Sequence, residues 1–254
     1  METHNHLLPN GCGGDLIMPA NAYRRDRLPW LRMRHRGLGA SEVGAALGFK
    51  PGWTSQDVWE EKTGPAPVED VVLNEAAEWG KALEDPIARE VARRHPQLGK
   101  LVPSPGLLRH REHPWMLATV DRLLAPSGQR YAPVHAVLEV KAVSVRGFKR
   151  DWNDGVPPAV FLQVQQQLAV TGLPVAYVAV LIGGAKLAPL YRIEADPAVI
   201  KALTHHAGKW WADHVQTGEQ PTTTGPCLGV AARLPELQFM QLALAGGGRI
   251  GTGE

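Results

Sequence analysis

Residues 118–124 read ATVDRLL and residues 136–142 read AVLEVKA, and the reading of these two stretches decides the fold. Successive side chains of a strand point to opposite faces, so Leu138 and Val140 face one way while Glu139 and Lys141 face the other. The first stretch also reads as a strand. A hairpin across the Pro/Ser/Gly-bearing loop 125–133 would bring Asp121 beside the acid and the base. Two carboxylates and an ammonium at one point suit metal-assisted phosphodiester hydrolysis. The carboxylates can hold a hard divalent cation through oxygen, and the lysine can steer or deprotonate water and offset phosphate charge. The same pattern also describes a solvated strand face with a salt bridge, and by itself it leaves both readings open.

Composition narrows the class. At 254 residues, with 44% hydrophobic and 20% charged residues, the chain can bury a sizeable core. No apolar run approaches the roughly 20 residues of a membrane span. The N-terminus carries acid and histidine rather than a basic segment leading into an apolar one, so no signal peptide is expected. Cys12 and Cys227 stand near opposite ends and form neither a disulfide framework nor a zinc set. A reducing cytoplasm follows as the expected compartment. The expected organisation is a flexible arm over 1–22, one α/β domain over 23–218 and a disordered tail over 219–254.

Charge is unevenly spread behind the net +2. Arg24, Arg25, Arg27, Arg32, Arg34 and Arg36 precede a short helix expected to start at Ser41 as N-cap and to end at Gly48. Cations beside a helix N-terminus suggest a phosphate site; a capped helix behind a solvated basic loop is the alternative. Helices are expected over 55–62 and 74–95, the second kinking or restarting at Asp85-Pro86. Glu84, Ala88 and Val91 fall on one stripe, so Glu84 needs a partner, a metal or a path to water. Strands are expected over 106–110, 115–125, 134–143, 175–183 and 187–194. A helix over 158–171 could send Gln163 toward the acid and base, although glutamines on a helix are more often exposed. A last helix is expected over 197–216.

Six motifs in order carry a family resemblance: LGASEVGAALGF (38–49), EEKTG (60–64), WGKALEDPIAREVARR (79–94), TVD (119–121), LEVKA (138–142) and QVQQQLAVTG (163–172). Over roughly residues 30–215 the chain resembles the YqaJ-type viral recombinases, the family of phage lambda exonuclease, within the PD-(D/E)xK nucleases. The resemblance implies an α/β fold with a central mixed sheet flanked by helices. It implies Mg²⁺, with Mn²⁺ as substitute, held by Asp121, Glu139 and the Val140 carbonyl, with Glu84 assisting a second position. Lys141 would orient or activate water with Gln163 in support, and Arg34, Ser41 and Thr119 would hold a terminal 5′-phosphate. Val120 stands where the family often has proline, a difference of backbone rather than chemistry. The implied activity is 5′→3′ degradation of double-stranded DNA ends in phage recombination, by a ring-shaped homotrimer that works with a single-strand annealing protein. Arg89, Arg93, Arg94, Arg146, Lys149 and Arg150 are candidates for the ring's channel. An endonuclease on the same fold, or a silent DNA-end-binding protein, is the alternative.

Overall fold

The computed structural model describes residues 4, 7–70, 74–129, 131–222, 225–234 and 240–242. Its strands, in chain order, are β1 (Asp15–Pro19), β2 (Leu38–Gly39), β3 (Lys100–Pro103), β4 (Gly106–Arg109) and β5 (Met116–Thr119). They continue with β6 (Arg122–Ala125), β7 (Ala136–Val143), β8 (Val175–Ile182), β9 (Lys186–Leu187), β10 (Leu190–Glu194) and β11 (Met240–Leu242). The helices are α1 (Ala20–Arg25), α2 (Leu28–His35), α3 (Ala40–Ala46), α4 (Ser55–Thr63), α5 (Glu75–Arg94), α6 (Val145–Asp151), α7 (Pro158–Thr171), α8 (Pro197–Trp210) and α9 (Leu228–Ala231).

The expected mixed sheet flanked by helices is present. Its order is β11-β10-β8-β7-β6-β3, with β9 also on β8, and its centre is the parallel pair β7–β8. The hairpin also forms, with Arg122 opposite Leu138 in the antiparallel β6–β7 pair. A second sheet, β1-β4-β5-β2, was not foreseen. The strand expected over 115–125 is therefore two strands. β5 belongs to the small sheet and β6 to the large one, and Val120 and Asp121 make the crossing between them.

The arm expected over 1–22 is corrected by β1. Leu16 and Ile17 are buried, and Asp15 and Pro19 align with Arg109 and Gly106 of β4. An apolar triplet is too short to show a period, and only its sheet partner makes it a strand. In the tail expected over 219–254, α9 packs the buried Val230 into the core and β11 pairs with β10. Residues 1–3, 5–6, 223–224, 235–239 and 243–254, also covered by those two expectations, lie outside the described residues. The loop expected ahead of α3 is the helix α2, with Pro29 in its first turn and Arg32, Arg34 and His35 in its last, where cations suit the helix dipole. α5 does not restart at Pro86 but runs unbroken from Glu75 to Arg94. Asn74 caps it, and Ala82, whose carbonyl loses the missing N–H, is exposed to water.

α7 joins the layers, and its glutamines make the joints. Gln165, Gln166 and Gln167 are fully buried rather than exposed. The Gln166 amide donates to the carbonyls of Leu38 (2.8 Å) and Leu117 (2.9 Å), binding the helix to β2 and β5. The Gln165 amide donates to the Glu194 carbonyl (2.8 Å) at the end of β10. Each amide nitrogen finds an acceptor, while the buried side-chain oxygens of Gln166 and Gln167 have no hydrogen-bond partner among the described residues.

Candidate active site

Asp121 stands where the chain leaves one sheet for the other, and this crossing aims its carboxylate at β7. Its Oδ2 accepts the Val140 N–H at 2.8 Å, which ties the carboxylate to the strand that carries Glu139 and Lys141. On β7 the strand alternation holds. Leu138 and Val140 join the cluster packed under α5, while Glu139 and Lys141 share the other face. Lys141 Nζ donates to Glu139 Oε1 at 2.7 Å and to Gln163 Oε1 at 3.0 Å. Gln163 Nε2 donates to the same Glu139 oxygen at 2.6 Å. Gln163 thus orients both the acid and the base.

Gln167, one helical turn further along α7, was not singled out from sequence. Its amide donates to Glu139 Oε2 at 2.8 Å and to the Thr119 carbonyl at 3.0 Å. The signal was available in the i, i+4 spacing from Gln163, which places both amides on one face of the helix. With both oxygens engaged, Glu139 has little rotational freedom.

Asp121, Glu139 and Lys141 line a cleft of about 570 Å³ that also receives Glu84, Thr119, Trp30 and Arg122. Burial, and then the charges of Glu139 and Glu84, push the Asp121 carboxyl well above the usual carboxylate range. Glu84 is raised for the same two reasons, burial first and Glu139 next. Burial works against the Lys141 ammonium, but the charges of Glu139 and Asp121 outweigh it and its pKa moves upward. Lys141 therefore keeps its proton here, which suits it to orient water and offset negative charge. Arg122 is tied to Asp85 at 2.8 Å and to the Asp121 carbonyl at 2.6 Å. The cleft wall also carries Lys81, Asp85 and Arg27. Among the described residues no three acidic, histidine or cysteine groups are gathered closely enough to hold an ion by themselves.

Beside the cleft lies a second cluster. The Arg34 guanidinium stacks 4.9 Å over the Trp30 ring, bonds to the Glu42 carboxylate and reaches Ser41 Oγ at 3.4 Å. Glu42 has a fully buried side chain and also binds Lys62 Nζ at 2.8 Å and the Gly39 N–H at 2.7 Å. The α3 cap is therefore Gly39 rather than Ser41, and the helix's own Glu42 fills the place an external anion would take. A Cβ at Gly39 would meet Arg34 Nη2 at 3.1 Å, so glycine keeps room for the guanidinium. Ser41, in the first turn, is left exposed. Arg34 and Ser41 are brought together, whereas Thr119 stands in the cleft wall. Of the cations expected in a channel, Arg89, Arg93, Arg94 and Arg150 pair with neighbouring acids. Arg146 and Lys149 of α6 carry no ion pair among the described residues. No helix among the described residues is long and apolar enough to cross a membrane.

Comparison with known proteins agrees with this architecture. The chain is 34% identical over 198 residues to YqaJ of Bacillus subtilis (strain 168), itself uncharacterized. The match takes in 77% of this chain but 59% of the relative, so the chain spans little more than half of that protein's length. Among solved structures, the alkaline exonuclease LHK-Exo from Laribacter hongkongensis superposes with a TM-score of 0.59 at 16% identity, over 75% of this chain and 93% of that one. The LHK-Exo complex with dAMP gives a TM-score of 0.54 at 19% identity over the same shares. At such identities the likeness is one of fold. The family model for the YqaJ-like viral recombinase domain matches residues 29–174, more than half of the chain, and the chain belongs to that family.

Proposed function

We propose that the protein is a divalent-metal-dependent DNA nuclease that degrades double-stranded ends from the 5′ side, in the service of phage or prophage recombination. The observation that carries this reading is the convergence of Asp121, Glu139 and Lys141 in one cleft, with Gln163 bonded to both the acid and the base. The alkaline exonuclease fold supports it.

The donor set fits a hard cation. It consists of oxygens alone, and burial, then neighbouring negative charge, raises the Asp121 and Glu84 pKa values, a strain that a divalent ion would relieve. Asp121, Glu139 and the Val140 carbonyl would hold Mg²⁺ or Mn²⁺, with Glu84 near enough to serve a second position through water. Such an ion supplies Lewis acidity toward the phosphate and a more acidic water. The chain's own groups do the rest. Lys141, fixed by Glu139 and Gln163, orients the attacking water and offsets charge on the phosphoryl oxygens. Gln163 and Gln167 keep Glu139 from rotating. Water adds to phosphorus as the P–O3′ bond breaks, and the departing 3′-oxygen takes up a proton. That bond choice leaves a new 5′-phosphate on the shortened strand, the group that Arg34, Ser41 and Thr119 are proposed to hold. Each cut would regenerate the recognised end.

The decisive experiment incubates purified protein with linear duplexes differing only in the 5′-phosphate, with and without Mg²⁺. Release of mononucleotides from phosphorylated ends, dependent on the ion, is expected. Circular DNA cut as readily as linear would favour an endonuclease, and binding without turnover would favour an end-binding protein. A ring-shaped homotrimer, working with a single-strand annealing partner, completes the proposal. Light scattering coupled to size exclusion would refute it with a monomer mass across the working concentrations.

A further inference from the structure

Lys50 follows α3 and takes no part in the chemistry above. Its ammonium lies 4.2 Å over the Trp53 ring and donates to the Ser41 carbonyl at 3.4 Å. Among the described residues this long contact is its one hydrogen bond, and it has no carboxylate partner. The charges that reach it are those of Lys141 and Arg34, both positive; after burial they push its pKa down to about 8. Lys62 is pushed equally low, chiefly by burial, but it holds Glu42 at 2.8 Å and Glu61 at 3.3 Å. Lys50 is thus a partly buried cation facing two others with nothing to neutralise it, an arrangement that costs folding free energy. Arg34 reaches Ser41 Oγ and Lys50 reaches Ser41 O, both at 3.4 Å, so two cations converge on one exposed serine.

We infer that Lys50 is a further ligand of the terminal 5′-phosphate, closing with Arg34 and Ser41 a site that a doubly charged anion completes. This rests on the reading of the protein as one that takes DNA ends. A terminal phosphate carries more charge than an internal diester, and charge-assisted bonds to it are among the stronger polar contacts. Lys50 would therefore favour the phosphorylated end over the hydroxyl end.

The test uses the full chain with short blunt duplexes bearing 5′-phosphate or 5′-hydroxyl, and Ca²⁺ in place of Mg²⁺. Affinity is read by fluorescence anisotropy and stability by thermal melting. Lys50→Met keeps an unbranched side chain of similar length beside Trp53 and removes the charge. It should weaken binding of the phosphorylated duplex about tenfold, as expected for one charge-assisted contact, and of the hydroxyl duplex by about twofold or less. Its Tm should match or exceed the parent's, because the unpaired charge is gone. Lys50→Arg should recover most of the preference. Equal losses on both duplexes, an unchanged preference, or a lowered Tm would overturn the inference. A parent that prefers phosphorylated ends but never cleaves DNA with Mg²⁺ would remove the nuclease reading and leave this site standing. A parent that binds neither duplex would remove both.

Discussion

Glu42 offers the sharpest test of how the second cluster is built. Its side chain is fully buried and meets two cations, Arg34 and Lys62, and the Gly39 N–H. Glu42→Gln removes the buried negative charge and turns an N–H group toward a donor. Lys62, itself with no exposed side chain, then keeps one carboxylate, Glu61 at 3.3 Å, which is 48% exposed, and the Arg34 carbonyl at 3.2 Å. Breaking a buried pair by removing one partner costs about 3–5 kcal/mol, and at about 2–4 °C per kcal/mol the melting point should fall by on the order of 10 °C. Lys62→Met should behave differently. It removes one of two cations, leaves Glu42 bound to Arg34 and Gly39, and fills the space with an apolar chain, at a cost below about 1.5 kcal/mol. Urea denaturation followed by tryptophan fluorescence measures both. The reasoning is refuted if Glu42→Gln costs less than about 1 kcal/mol, or if the two variants lose stability equally.

Three further outcomes are expected. Lys141→Ala should lose Mg²⁺-dependent digestion while keeping duplex affinity, and Asp121→Ala should lose digestion together with calorimetric Mn²⁺ binding; parental metal affinity in the second would move the ion elsewhere. Gln167→Leu frees Glu139 Oε2 and the Thr119 carbonyl, so kcat should fall about tenfold or more with KM little changed, at a stability cost of about 1–3 kcal/mol; an unchanged kcat would show that Glu139 needs no such restraint. Lys50 and Lys62 titrate near 8 in the folded chain, against an ordinary value of 10.5. Above pH 8 the unfolded chain binds protons that the native one does not, so stability should rise with pH from 8 to 9. Over this window the rising pKa of Cys12, about 11 against an ordinary 9.0, has little opposing effect. An equal rise in Lys50→Met/Lys62→Met would assign the effect to other groups.

The site was largely legible because its geometry is local. Strand alternation alone set Glu139 and Lys141 on one face, and the Pro/Ser/Gly loop marked the hairpin that brought in Asp121. α7 could be bounded on both sides, since Pro158 starts it and Gly172, in the left-handed region, ends it. What stayed hidden depends on partners distant in sequence. Nothing in Leu16-Ile17-Met18 announces a strand until β4 lies beside it. The run 115–125 has unbroken strand character, and its division between two sheets follows from β2 and β4 holding one half while β3 and β7 hold the other. The buried glutamines were misjudged because composition cannot show that backbone carbonyls of β2, β5 and β10 await them.

The two clusters displace their charged groups in opposite directions, and this ties the proposed chemistry to the proposed recognition. In the cleft, burial and neighbouring negative charge raise Asp121 and Glu84, while Lys141 is bonded to Glu139 and Arg122 is held by Asp85. Around Ser41, Arg34 and Lys62 meet the buried carboxylate of Glu42, Lys62 also meets Glu61, and Lys50 reaches only the Ser41 carbonyl. Either displacement is a burden on the fold, since charge withdrawn from water must be paired or it shifts its pKa. Both shifts are seen, upward for Asp121 and downward for Lys50. Lys141 links the two, bonded to Glu139 and acting on Lys50 as a positive charge. A substrate that brings a divalent cation to the first cluster and a terminal phosphate to the second would relieve both at once, and the end of a DNA strand is such a substrate.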